Sequence, residues 1–216
     1  IAILIVMIST GLMAAGRGSN FGSDMESVLE SVEISPLSEA EAEGILLMRE
    51  EEKLARDVYL TLYEKWGLRT FTNIAAAEST HMDAMGILMD RYNLDDPIKT
   101  DAIGVFTNPE LQDLYTALVA QGSESLSAAL TVGATIEDLD IYDLERLITD
   151  TDNNDLKIVY QNLLKGSRNH MRAFDMQLSR NGVDYQAQYM TSEGLSKILN
   201  TDMERGTVIS NPNFRF

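Results

Sequence analysis

"ESTHMDAM", residues 78–85, sets Glu78 three residues before His81 in a stretch that otherwise reads as a buried helix face. Residues three apart lie on the same side of an α-helix, so the two ionisable groups turn the same way. The surrounding apolar stripe is Ile74, Met85, Leu88 and Tyr92, and Glu78 and His81 fall on its line. A helix over about 72–92 therefore directs an acid and an imidazole toward its own core. Alone, such a pair reads as a satisfied buried contact, and the rest of the chain has to decide.

The pattern recurs in three other segments. Ser38 and Glu41 make a capping-box signature at the head of a run that continues to a stop at Gly67. Its stripe, Ile45, Met48, Ala55, Tyr59 and Leu62, requires an inward residue at position 52, which is Glu52. Within "REEEK", Glu50 and Glu51 are expected to turn away from the stripe. After Tyr92 comes a long connection with its own short helix, capped by Asn108, opened by Pro109 and stopped by Gly122. A third long helix from near Ser123 carries the stripe Leu126, Leu130, Gly133, Glu137, Asp140, Leu144, Leu147, with a break expected near Asp140. A fourth, from near Asn153 to Gly182, carries Leu156, Val159, Leu163, Gly166, His170, Phe174. The fold class expected is all-α, a four-helix bundle with a long crossover connection containing a short helix.

Composition narrows the chemistry. With 34 acidic against 17 basic residues, the formal charge is -17, which repels nucleic acid and favours cations. The absence of cysteine excludes disulfides, thiolate catalysis, iron–sulfur clusters and Cys-type zinc sites. Carboxylate and imidazole remain as the strong ligand types. Glu52, Glu78, Glu137 and Asp140 with His81 and His170, the two histidines of the chain, place donors on all four inner faces. Such a set suits two divalent ions, iron first and manganese second, because the cations offset the buried acid. Taken singly, each acid reads as the partner of an arginine such as Arg56 or Arg168, and each histidine as a core residue. Asp57 and Asn169 are candidates to orient the imidazoles, or solvent-facing neighbours, and Tyr59, Tyr92 and Tyr160 read as core aromatics. "DTDNNDLKIVYQ", residues 150–161, begins like an EF-hand loop but has Asp155 where the sixth residue is Gly and Gln161 at the twelfth. It reads as a turn and helix cap.

Together, "EEEKLARDVY", "AESTHM", "VGATIEDLDIYDLE" and "LLKGSRNHMRAF" resemble a prokaryotic ferritin-like family known as a domain of unknown function, over roughly residues 38–181. The resemblance implies a ferritin-like bundle with the architecture of the di-iron carboxylate proteins, rubrerythrins among them. It also implies metal-ligand roles for Glu52, Glu78, His81, Glu137 and His170. One departure stands out. Where the di-iron pattern has a second Glu-x-x-His, this chain has Ser167 before His170, and Asp140 is the residue that could take over.

The domain organisation expected is an apolar segment 1–16, a linker 17–37, the bundle 38–182 and a polar extension 183–216, to which no motif assigns a role. "IAILIVMISTGLMAAG", residues 1–16, reads as the hydrophobic region of a signal peptide, or else as an anchor or assembly segment buried in a membrane or a neighbouring subunit. Either reading places the protein outside the cytoplasm. The function expected is an extracytoplasmic di-iron oxidoreductase. The alternative is a structural subunit of a homo-oligomer or filament joined through residues 1–16.

Overall fold

The structure is a computed structural model that describes residues 21–209, so the expectations for segment 1–16 lie outside the described residues. Among the described residues it is all-helical, with seven helices and no strand: α1 (Phe21–Glu30), α2 (Glu39–Trp66), α3 (Arg69–Tyr92), α4 (Pro109–Gly122), α5 (Leu126–Asp150), α6 (Asn154–Arg180) and α7 (Ser192–Leu199). No helix among these residues is long and apolar enough to cross a membrane.

The boundaries follow local chemistry. Ser38 Oγ accepts the Glu41 amide while the Glu41 carboxylate accepts the Ser38 amide, closing the capping box ahead of α2. Gly67 ends α2 at φ 64°, a left-handed conformation that a Cβ would strain. Asn108 caps α4, whose first residue is Pro109. α5 runs unbroken through Asp140. The expected break is absent because the helix is packed along its length, with Ile136, Ile141 and Leu144 buried on either side of that residue.

The four long helices touch in a closed ring, α2 on α3, α3 on α6, α6 on α5 and α5 on α2. Their facing stripes supply the core, including Met48, Val58, Leu62, Met85, Leu88, Leu130, Leu156, Val159 and Leu163. α4 lies across α2 and α5. Within the stretch expected as a linker, α1 packs on α3 and buries Met25 and Leu29.

Several buried or half-buried acids act as staples. Glu41 also accepts bonds from Thr151 Oγ1 and from Asn153 Nδ2 (3.0 Å), so "DTDNND" is a turn fastened to the start of α2. Asp155 there accepts from Arg91 (2.9 Å) and Tyr92 Oη (2.5 Å). The segment after α6 is held in two places. Asp138 accepts the Tyr185 hydroxyl (2.8 Å) and the backbone N–H groups of Gln188, Tyr189 and Met190. Glu204 accepts from Arg168 and Arg172.

Two outcomes test these staples. Asp138→Ala orphans three backbone donors and should cost about 3 kcal/mol in urea unfolding, with hydrogen exchange accelerated first in residues 185–190. Glu204 feels burial pushing its carboxyl up, but the two guanidinium groups outweigh this and hold it below its ordinary value of 4.5. A depressed carboxylate contributes stability that is present above the unfolded value and lost as pH falls through the folded one. The wild type should therefore lose more stability than Glu204→Gln as pH is lowered from above 4.5 through that value.

Candidate metal centre

At mid-height of the helix ring, α2 supplies Glu52, α3 supplies Glu78 and His81, α5 supplies Glu137, and α6 supplies His170. All five are buried, Glu52 and Glu137 completely. Glu78 sits between the two histidines. Its Oε2 is 2.8 Å from His81 Nδ1 and its Oε1 is 2.9 Å from His170 Nδ1. Glu52 Oε2 lies 3.1 Å from His81 Nδ1, and Glu137 Oε2 lies 3.4 Å from His170 Nδ1. The imidazole rings are 5.5 Å apart. Two overlapping groups result, Glu52–Glu78–His81 and Glu78–Glu137–His170, each with donor atoms within 4.8 Å of one another. These groups could hold a metal ion.

The alignment of the donors is more informative than their proximity. His170 Nδ1 is within ion-pair distance of two carboxylates yet is aligned for a hydrogen bond with neither. Both oxygens of Glu78, Oε1 of Glu52, Oε2 of Glu137 and Oδ2 of Asp140 are buried without a hydrogen-bond partner. A buried carboxylate oxygen left this way costs several kcal/mol unless a positive group meets it. Glu52 Oε2 keeps a hydrogen bond with His81 Nδ1, while the other donors gather close enough to serve a shared cation, as oxygen and nitrogen ligands do. The donor set therefore fits a metal ion.

Electrostatics agree. Burial pushes the Glu52 and Glu137 carboxyls up to about 7 despite an imidazole beside each. Burial, with Glu52, Glu137 and Glu78 adding to it, drives Asp140 well above the carboxylate range. Burial also opposes the charge on Glu78, but His170 and His81 outweigh it and hold that carboxyl low. Burial works against protonation of His81 as well, and Glu52 and Glu78 nonetheless raise it to about 10. His170 is raised by Glu78 and Glu137 in the same manner. Cations binding here would balance the buried acids and compete with protons for them.

The five residues Glu52, Glu78, His81, Glu137 and His170 meet as the helical stripes require. Asp140 is buried nearby on α5 but belongs to neither group. Ser167 is buried, and its hydroxyl donates to the Leu163 carbonyl of its own helix (3.3 Å). Arg56 pairs with Asp57 and Asp101, and Arg168 pairs with Glu204.

Other expectations change. Glu50 and Glu51 do not turn to solvent, because the connection after α3 covers their face. Glu50 Oε1 accepts the amides of Thr107 (2.9 Å) and Asn108 (3.2 Å). Asp57 orients no imidazole and does not face water. It is buried against Lys53 (2.5 Å), Arg56 and the Gly104 amide (2.9 Å). Asn169 holds the backbone of Glu204. Tyr59 is more than a core aromatic, since its hydroxyl donates to Glu137 Oε1 at 2.5 Å. Its place on the stripe one turn from Ala55 was visible in the sequence, but its partner was not. Gly166 is a further unanticipated part of the site. A Cβ there would lie 2.4 Å from Nε2 and 2.5 Å from Cε1 of His81, so the ring uses the space that glycine leaves.

The sequence pattern of a family described as "Uncharacterized protein domain (DUF2202)" matches residues 41–202. An "Uncharacterized protein MJ0754" from Methanocaldococcus jannaschii is 56% identical over 178 residues, 82% of this chain and 96% of that protein. The crystal structure of that hypothetical protein superposes with a TM-score of 0.79, covering 81% of this chain and 99% of its own.

Gly166→Ala should displace the His81 imidazole. The helix-propensity gain of about 1 kcal/mol is smaller than the overpacking cost of roughly 1–3 kcal/mol. The net outcome expected is a lower thermal midpoint and a shifted His81 ring resonance in NMR. An unchanged ring signal would contradict the contact.

Proposed function

We propose that this chain, which belongs to the DUF2202 family, holds two divalent metal ions in a ferritin-like four-helix bundle and acts as a di-iron carboxylate oxidoreductase. Oxidation of ferrous iron or reduction of peroxide is the reaction class, with iron as the metal and manganese as the alternative. The observation that carries the reading is Glu78, whose two oxygens each face a different imidazole at 2.8 and 2.9 Å. One carboxylate serving two donor groups is what a pair of adjacent cations asks for. The ring of four long helices, the crossover containing α4 and the resemblance of the four sequence blocks support the ferritin-like part.

Bound iron supplies the electrons and the open coordination positions. The chain supplies the rest. Glu52 and Glu137 flank Glu78, each beside one imidazole. Tyr59 fixes the rotation of Glu137 through its 2.5 Å hydrogen bond, as outer hydrogen bonds orient ligands generally. Met48, Ala55, Met85 and Phe174, all buried, keep bulk water from the centre. The apolar sequence of residues 1–16 supports placement outside the cytoplasm and, as part of the same proposal, attachment to a membrane or to further copies of the chain.

Anaerobic reconstitution with ferrous iron, followed by elemental analysis, should give two ions per chain. Glu52→Gln and Glu137→Gln should each retain one, whereas Glu78→Gln should retain almost none because both groups lose a donor. Peroxide added to the loaded protein should be consumed with oxidation of the iron. A wild-type chain that takes up no metal would end the proposal, and metal that stays inert to oxygen and peroxide would leave a structural ion rather than a reactive one.

A further inference from the structure

A cavity of about 30 Å³ lies between α2, α4 and α5. Its walls are mostly apolar, with Leu54, Leu111, Leu118 and Ile136, yet Glu51 and Asp140 also line it, together with Thr135 and Tyr189. Their residues are 8% and 4% exposed, and Glu51 Oε2 and Asp140 Oδ2 have no hydrogen-bond partner. Their neighbours show how structural acids are treated in this fold. Glu50 caps two amides and Asp138 receives three, whereas these two oxygens are left open toward a cavity.

Their position along the chain adds direction. Asp143, Asp140 and Glu137 stand at successive turns of α5, and exposure falls from the Asp143 side chain (21%) to Asp140 (4%) to Glu137 (0%). Glu51 interacts electrostatically with both Asp143 and Glu52, and Asp140 with Glu51, Glu52, Glu137 and Glu78. A file of carboxylates thus connects the surface to the interior. Among the described residues, Asp143 pairs with Arg146 at 3.3 Å, whose side chain is 62% exposed, so the pair is weak.

We propose that Glu51 and Asp140 form a transit site for divalent cations, which receives an ion at Asp143 and passes it to the Glu52–Glu78–His81 group. Two open carboxylates facing one small cavity offer oxygen ligands to a hard or borderline cation. The other walls are mainly leucine and isoleucine and add few ligands, so occupancy is brief. The chain's net charge of -17 raises the local cation concentration at the outer end. The proposal rests on the interior centre being metal-binding, and its test separates the two.

Metal-free protein would be mixed with Mn2+, with uptake followed by loss of the free-ion EPR signal and the final number per chain measured after dialysis. Glu51→Gln, Asp140→Asn and the double variant should take up Mn2+ about tenfold more slowly or worse, the scale on which charged clefts accelerate ion capture. Their final number per chain should equal that of the wild type. Unchanged uptake in the double variant would overturn the transit site. A lower final number in Asp140→Asn would overturn it differently, by making Asp140 a ligand of the centre. Failure of the wild type to bind Mn2+ or ferrous iron would instead refute the centre. Thermal midpoints of the variants should be equal to or above the wild type, because an open buried charge is removed; loss of folding would show a structural role and overturn the proposal.

Discussion

The structure depends on how charge is balanced in a space that water does not reach. Glu52, Glu78 and Glu137 meet inside a helix ring packed mainly with aliphatic and aromatic side chains, and Asp140 is buried nearby. Hydrophobic packing brings the helices together, and it also removes the solvent that would have screened these acids. The two imidazoles offset part of the charge, and the orphaned oxygens mark what remains. The glycine beneath His81, the tyrosine on Glu137 and the shared position of Glu78 follow from fitting that arrangement into a close-packed core.

The same residue types do different work elsewhere in the fold. Glu41, Glu50, Asp57, Asp138 and Glu204 each meet amides, hydroxyls or cations, and each ties a connection or a terminal segment to a helix. The acidic composition is thus divided between fasteners with full sets of partners and interior groups with open valences. That distinction separates structure from candidate chemistry more sharply than burial, since Glu50, Asp57 and Asp138 are as buried as the interior acids.

Much of this was legible in the sequence. Period-3.6 stripes with one or two polar interruptions located Glu52, Glu78, His81, Glu137 and His170 because helix geometry converts spacing into direction. Cap chemistry at Ser38 and Asn108 located the starts of α2 and α4. What escaped depends on contacts distant in sequence. Glu50 and Glu51 read as turned away from the core and Asp57 as imidazole-orienting or solvent-facing, but residues 102–108 fold over Glu50, Lys53 and Asp57, and Lys53 lies 4.4 Å above the Phe106 ring. α1 looks like a linker by composition, and its helix shows only once Met25 and Leu29 pack against α3. The tail beyond residue 183 looks irregular because the residues that order it, Asp138 and Arg168, belong to other helices.

Glu137 and Asp138 are consecutive, so their side chains leave α5 about 100° apart. One reaches the interior donors, while the other is bolted to three backbone amides outside the ring. A smooth aliphatic helix can creep about its own axis at little cost, as a screw does in a loose thread. α5 is denied that freedom. Any twist that carried Glu137 away from His170 would also have to tear the carboxylate next door from its amides, so the azimuth of the interior acid is set by a clasp on the opposite flank.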